Sequence, residues 1–451
     1  MTPSAVSRYV VQPSSYIHGA ASIPGDKSIS HRALMLGSLA EGDTEIHGFL
    51  ESEDCLATLI ALRRLGVRID GPDDGHVVVH GAGAGRLQAA AGALDMGNAG
   101  TAMRLFMGLL AGQPFDSMLV GDASLMRRPM ERVAVPLRLM GADITTQDGR
   151  PPVEIRGRTT LAAIDYELPV PSAQVKSAIL LAALRADGRT RIVEPAPSRD
   201  HTERMLAAFG VELLHPGGSI ALQGGQVLHA TRVHVPGDFS SAAFFIVAGC
   251  LAARQGLLIR GVGLNPTRTG LLDLLREMGA DIRVHPWDKK RGAPANSAIE
   301  PVADIEVHAS PLRGIKVDEA AVPLAIDELP VFFIAAACAE GETLVHGALE
   351  LRVKESDRLA AMAAGLARLG VELELLADGV WIRGAPGGFG AGTIDSHGDH
   401  RIAMAFATAA VRARGPIEIR DVASVATSFP NFVASAREVG LMIERCPTPV
   451  S

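Results

Sequence analysis

Six times along the chain an amphipathic stretch runs into a glycine and then into a short run of alternating apolar and polar residues. The copies are LRRLGVRI around Gly66, LRLMGADI around Gly141, MLAAFGVEL around Gly210, LREMGADI around Gly279, LARLGVEL around Gly370 and AREVGLMI around Gly440. The pattern predicts a helix that ends at the glycine, which suits the positive φ of a C′ position, and a half-buried strand after it. A second strand ending in a turn follows several copies: HVVVHG at 76–81, PVEIRG at 152–157, SIALQG at 219–224 and VWIRG at 380–384. The glycines stand 75, 69, 69, 91 and 70 residues apart, too regular for chance recurrence of a common α/β signature. The chain therefore reads as six α/β units. A boundary is expected near VHVPGDFSSAAFF (233–245), where a Pro-Gly turn separates three repeats from three. The longest interval contains PWDKKRGAPANS (286–297), whose polar, Pro- and Gly-bearing composition predicts a surface loop.

Composition narrows the function class. The 451 residues carry 43 Lys plus Arg against 50 Asp plus Glu, a net charge of −7, which argues against a general binder of nucleic acid or anionic membranes. A locally positive cleft for a small anion remains compatible with that balance. Cys55, Cys250, Cys338 and Cys446 lie far apart without zinc spacing, as expected of incidental thiols in a reducing compartment. Residues 1–20 show no apolar signal-like core, and the most apolar stretch, Ala242 to Ala253, has 12 residues where a span needs about 20. A soluble, cytoplasmic protein is expected.

Candidate chemistry concentrates in a few turn-flanked segments. In Pro24-Gly25-Asp26-Lys27-Ser28-Ile29-Ser30-His31-Arg32, either Asp26 or Ser28 suits a helix N-cap, and Lys27, Ser28 and Arg32 fall on the anion-favouring corner of that helix. Gly97-Asn98-Ala99-Gly100-Thr101-Ala102-Met103-Arg104 lets backbone approach a ligand at a helix start, and it lacks the lysine and glycine spacing of a nucleotide loop. In Arg127-Arg128-Pro129-Met130-Glu131, Pro129 suits helix position N1, which places Arg128 at the N-cap facing outward. Ser172-Ala173-Gln174-Val175-Lys176 opens an apolar helix, and Arg199 lies in Ser198-Arg199-Asp200-His201.

The second half adds Asp327 ahead of VFFIAAACA, where a carboxylate either has a raised pKa suited to proton transfer or caps the helix. Lys354-Glu355-Ser356-Asp357-Arg358 sets a carboxylate between cations, with Lys354 and Arg358 one helical turn apart, and equally suits a solvated, salt-bridged helix face. Asp399-His400-Arg401 completes the set; the histidine spacing of HGDH (397–400) does not suit a metal, so none is expected. Together the cations outnumber the carboxylates free to balance them, which fits substrates with several phosphate or carboxylate groups. Both halves contribute, so the site is expected between two lobes.

PGDKSISHRALML, GNAGTAMRL, RRPMERV, SAQVKSA, LRVKESDRL and DHRIAMA, in this order, closely resemble the 5-enolpyruvylshikimate-3-phosphate synthase family over almost the whole chain. The resemblance implies an α/β fold: a two-lobed inverse α/β barrel in which each lobe holds three βαβαββ repeats around a pseudo-threefold axis. The N-terminal lobe would span 22–238 and the C-terminal lobe 1–21 plus 239–451, the N-terminal strand joining the second lobe, with the active site in the interlobe cleft. It implies transfer of the enolpyruvyl group of phosphoenolpyruvate to the 5-hydroxyl of shikimate 3-phosphate, releasing phosphate through a tetrahedral intermediate, with no cofactor and no metal.

Carried over residue by residue, Lys27, Ser28, Arg32, Ser172, Ala173, Gln174, Arg199, Asp327 and Lys354 would hold shikimate 3-phosphate. Lys27, Gly100, Arg128, Gln174, Arg358 and Arg401 would hold phosphoenolpyruvate. Asp327 and Glu355, with Lys27, would carry the proton transfers. Two departures stand out: many members have Ser-Ser-Gln where this chain has Ser172-Ala173-Gln174, and many have a lysine where it has Thr427. SAQVK and RDHTE resemble the divergent bacterial branch that includes glyphosate-tolerant members, which carry alanine at the position of Gly100. The resemblance further implies a monomer that glyphosate inhibits. The alternatives are the sister transferase acting on UDP-N-acetylglucosamine, which usually relies on a loop cysteine, and a non-catalytic binder of phosphorylated metabolites.

Overall fold

The computed structural model describes residues 7–287 and 299–447. Of the loop expected at 286–297, Pro286 ends a strand and Trp287 donates its indole N–H to Asp304; residues 288–297 lie outside the described residues. The chain forms two compact units: Gly25–Val235 with Pro294–Glu300, and Met1–Pro24 with Pro236–Ala293 and Pro301–Ser451.

The first unit repeats one motif three times. Its helices are α1 (Lys27–Leu39) and α2 (Glu53–Arg64), α3 (Gly100–Leu110) and α4 (Glu131–Leu139), and α5 (Ala173–Ala183) and α6 (His201–Ala208). Each pair belongs to a four-stranded sheet with one parallel and two antiparallel pairings. In the second repeat, for example, Leu94–Asp95 runs parallel to Ser117–Val120, which pairs antiparallel with Arg150–Arg156, itself paired with Asp143–Gln147. The first helix of each pair is the apolar one: α3 and α5 bury nearly every side chain, because the core surrounds them. Gly108 permits that closeness, since a Cβ there would collide with the backbone of Ala178 on α5.

The second unit repeats the scheme with α7 (Phe239–Ala252) and α8 (Gly270–Glu277), then the single turn α9 (Val322–Ala325) leading into α10 (Leu329–Cys338), paired with α11 (Arg358–Arg368), and finally α12 (His400–Ala409) and α13 (Phe432–Glu438). Helices α7, α10 and α12 pack on one another inside one continuous apolar core. Among the described residues no single helix is long and apolar enough to cross a membrane; the helical stretch Glu319–Ala325 and α10 together reach the length but meet at a sharp bend, and α10 is buried throughout.

All six glycines of the repeat signature have positive φ, from 85° at Gly66 and Gly210 to 100° at Gly440, and a strand follows each. The chain order of the repeats is broken at three strands. Arg232–His234 lies parallel to Glu41–His47 and fills, in the first sheet, the place that Leu94–Asp95 fills in the second. Gly19–Ala21 takes the same place beside Leu257–Gly263. Ser7–Gln12 sits between Ile417–Arg420 and Met442–Pro447, so the N-terminal strand completes the last sheet of the second unit.

Candidate active site

In the first unit the functional candidates gather at the starts of α1, α3 and α5. Asp26 is the cap of α1, its Oδ1 accepting the Ile29 amide at 2.9 Å, so Ser28 is left inside the first turn. Lys27 opens the helix and places Nζ 2.9 Å from Asp54 Oδ2. One turn on, Arg32 is buried; it donates to Thr202 Oγ1 at 2.7 Å, the Ser28 carbonyl at 3.0 Å and Ser177 Oγ at 2.8 Å. Burial pulls its pKa down to about 10, which leaves it cationic at neutral pH. The neighbouring His31 is driven well below its usual value by burial and by Lys27 and Arg32, so it stays neutral and bonds Thr58.

Gly100 opens α3. A Cβ there would stand 2.8 Å from Arg128 Nη1 and 3.3 Å from Arg104 Nη1, so the missing side chain is what lets two guanidinium groups reach one helix N-terminus. Arg128 donates to Asn98 Oδ1 at 2.6 Å. Arg104 donates to Gln174 Oε1 at 2.7 Å and to the Pro129 carbonyl at 3.1 Å, while Gln174 donates to Thr101 Oγ1 at 3.0 Å. Arg104 thus fixes which face of the Gln174 amide accepts and which donates.

Ser172 caps α5 through Val175 N–H, and Ala173 is its first residue. Arg199 is half-buried on the loop into α6. That loop is anchored from below: Lys176, 1% exposed, pairs with Glu194 at 2.7 Å and Glu203 at 2.8 Å and donates to the Ser198 carbonyl at 3.3 Å.

In the second unit the candidates converge on Arg358, the first residue of α11 and 1% exposed. Its Nε donates to Asp399 Oδ2 at 2.8 Å, its Nη1 to Asp327 Oδ1 at 3.2 Å and its Nη2 to Glu355. Burial alone would lower its pKa, but Asp399, Glu355 and Asp327 outweigh that and hold it above the ordinary arginine value. Asp327 also lies 3.8 Å from Lys354 Nζ and 3.8 Å from Arg401 Nη2, and its backbone carbonyl accepts from Arg401 at 2.9 Å. Asp399 caps α12 through the Arg401 amide at 2.9 Å and accepts from Ser356 at 3.1 Å. Among the described residues no group of three or more His, Cys, Asp or Glu side chains is arranged to hold a metal ion.

Four sequence expectations need correction. Arg128 does not face outward at an N-cap: α4 starts at Glu131, and Arg128 ends a short 3-10 turn and is buried, because Asn98 draws its guanidinium inward. Lys354 and Arg358 do not share a helix face, since Lys354 is extended and the helix begins only at Arg358, after the Asp357 cap. Asp327 does not cap α10; that helix starts at Leu329, and the carboxylate turns to the cations instead. Nor are the second unit's cations short of carboxylates. Asp327, Glu328, Glu350, Glu355 and Asp399 surround them, because a guanidinium this deeply buried requires compensation.

Sequence reasoning passed over Asp54, Asn98 and Glu328 as site partners, and it placed Arg104 and Asp399 in their segments without a partner. Each is joined to its partner by tertiary contact rather than local spacing.

The arrangement of sheets and paired helices is shared with the enolpyruvyl transferase NikO from Streptomyces tendae, which superposes with a TM-score of 0.79 at 18% identity over 99% of this chain and 100% of that one. The fold is therefore that of an enolpyruvyl transferase. A family model described as EPSP synthase (3-phosphoshikimate 1-carboxyvinyltransferase) matches residues 11–435. The chain is 56% identical over 437 residues to the 3-phosphoshikimate 1-carboxyvinyltransferase of Methylococcus capsulatus, covering 97% of this chain and 98% of that one. It is 57% identical over 436 residues to the protein of that name in Alkalilimnicola ehrlichii, covering 96% of each chain. An EPSP synthase structure from Acinetobacter baumannii superposes with a TM-score of 0.86 at 50% identity, covering 98% of this chain and 100% of that one. The chain belongs to the EPSP synthase family, and it is a transferase.

The surroundings of Lys354 set a pH limit. Burial lowers its pKa below the ordinary lysine value, countered in part by Asp327 and Glu350 and reinforced by Arg358. A base whose pKa falls on folding loses its proton earlier as pH rises. Stability gains from this group between the lowered value and about 10.4, while any step needing the ammonium is lost there. The alkaline limb of kcat/KM is therefore expected below the ordinary lysine range, and Lys354→Arg is expected to move that limb upward even where the absolute rate drops. A limb unmoved by Lys354→Arg assigns it to another group.

Proposed function

We propose that this chain transfers the enolpyruvyl group of phosphoenolpyruvate to the 5-hydroxyl of shikimate 3-phosphate, releasing phosphate, as a cytoplasmic monomer in the route to chorismate and the aromatic amino acids. The observation that carries the reading is Asp327, a carboxylate held by Arg358, Lys354 and Arg401 immediately before α10. It is oriented by cations rather than spent as a helix cap.

In this reading Asp327 removes the proton from the 5-hydroxyl and Glu355 protonates the methylene carbon, while the hydroxyl oxygen bonds to the neighbouring carbon. The product of that addition is a tetrahedral ketal phosphate. Return of a methyl proton to Glu355 then re-forms the double bond as the C–O bond to phosphate breaks, and the hydroxyl proton held by Asp327 passes to the departing phosphate, which restores both carboxyl groups. Lys27, Ser28, Arg32, Ser172, Ala173, Gln174, Arg199 and Lys354, with Asp327, hold shikimate 3-phosphate. Lys27, Gly100, Arg128, Gln174, Arg358 and Arg401 hold phosphoenolpyruvate. Fixed guanidinium groups stabilise the charge that develops on the departing phosphate.

The sister reaction on UDP-N-acetylglucosamine is disfavoured by the thiols. Cys55, Cys250 and Cys338 are buried in α2, α7 and α10, and Cys446 lies on the last strand, so none occupies a loop. Burial pushes Cys250 and Cys338 up to about 12, the reverse of an activated thiol.

Phosphate release from phosphoenolpyruvate is expected with shikimate 3-phosphate and not with the nucleotide sugar, and Asp327→Asn is expected to abolish turnover while largely preserving binding. Release with the nucleotide sugar alone, or with neither, overturns the reading. Glyphosate is expected to compete with phosphoenolpyruvate beside Gly100. Gly100→Ala, whose methyl meets Arg128 and Arg104 at 2.8 and 3.3 Å, is expected to raise the inhibition constant about tenfold or more. Equal inhibition of both forms in the same assay contradicts the placement.

A further inference from the structure

Behind Arg401 lies a chain of buried polar groups that the reaction itself does not use. Asp238 caps α7, accepting the Ser240 amide at 2.7 Å, and takes Arg268 Nη2 at 3.1 Å. The same Arg268 nitrogen donates to Ser240 Oγ at 2.7 Å, and Ser240 Oγ in turn donates to Glu328 Oε1. Glu328 Oε1 lies 3.8 Å from Arg401 Nη1, the nitrogen that also donates to the Asp327 carbonyl. Asp238, Ser240, Arg268 and Glu328 are each no more than 6% exposed. The chain runs across the starts of the three mutually packed helices α7, α10 and α12.

We propose that Glu328 is a positioning residue for Arg401, locked by Ser240, Arg268 and Asp238, and that it sets the affinity for the anionic substrate group Arg401 binds. A carboxylate this deeply buried is expensive unless compensated, and the site supplies Arg401 on one side and the hydroxyl fixed by Arg268 on the other. Arg401 Nη1 donates to the Asp327 carbonyl at 2.9 Å while the Glu328 charge stands 3.8 Å from the same nitrogen, so a hydrogen bond and an ion pair together hold one end of the planar guanidinium. With that nitrogen held, the remaining N–H groups keep a fixed direction, so little side-chain freedom is lost when an anion binds.

The inference rests on the reaction proposed above and on Arg401 facing phosphoenolpyruvate, and steady-state kinetics with each substrate varied separately tests it. Glu328→Gln keeps the acceptor for Ser240 but removes the charge facing Arg401. Its KM for phosphoenolpyruvate is expected to rise about tenfold with KM for shikimate 3-phosphate and the melting temperature unchanged. Ser240→Ala keeps the charge and removes the lock; a smaller rise, about threefold, is expected in the same constant alone. If Glu328→Gln does not fold, Ser240→Ala decides. An unchanged KM for phosphoenolpyruvate in a folded variant, or equal shifts in both KM values, overturns the positioning role. Absence of turnover in the unsubstituted enzyme overturns the reaction instead.

Discussion

A guanidinium with 1% exposure has given up nearly all of its hydration, and the second unit is arranged around the compensation that Arg358 requires. Its nitrogens reach Asp399, Asp327 and Glu355. These three carboxylates come from three elements: the start of α12, the segment before α10, and the approach to α11. Burying Arg358 therefore does two things together. It pins the starts of three helices to one point, and it holds two acidic side chains in fixed orientation without using either as a cap. The capping is left to Asp357 and Asp399, the latter serving α12 with one oxygen and Arg358 mainly with the other.

The first unit solves the same problem with fewer negative charges. Arg32 is satisfied by two hydroxyls and a carbonyl, and Arg104 by an amide and a carbonyl. Neutral acceptors orient a cation without cancelling its charge, so these arginines remain able to attract an anion. Arg358, kept firmly charged by three carboxylates, also organises the segments that carry them. The division follows from the repeat itself: in each copy the first, apolar helix is buried along its length, so its N-terminal turn is the place where polar groups can emerge. Lys27, Gly100, Gln174, Ser240, Asp327 and Arg401 all lie at or beside such turns.

Much of this was legible in the sequence, for physical reasons that also mark its limits. The repeat could be read because a helix-terminating glycine and an alternating strand are local requirements, met within about eight residues each time. The motif segments could be read because capping and helix-start chemistry are local too. What could not be read depends on distant pairing. Nothing in SRYVVQ indicates that it completes a sheet with residues more than 400 positions away. Arg128 reads as an exposed N-cap until Asn98 is known to face it, and the KESDR run reads as a helix face until Asp399 is known to take its arginine inward. Glu328 carried no signal beyond its position next to Asp327.

Arg358 and its carboxylates act as one unit. A double-mutant cycle on kcat/KM for phosphoenolpyruvate, combining Arg358→Lys with Asp399→Asn, measures this most directly. Strong non-additivity is expected, the second substitution costing little once the first is made, with a coupling of at least about 1.5 kcal/mol. Effects that add to within about 0.5 kcal/mol would contradict it.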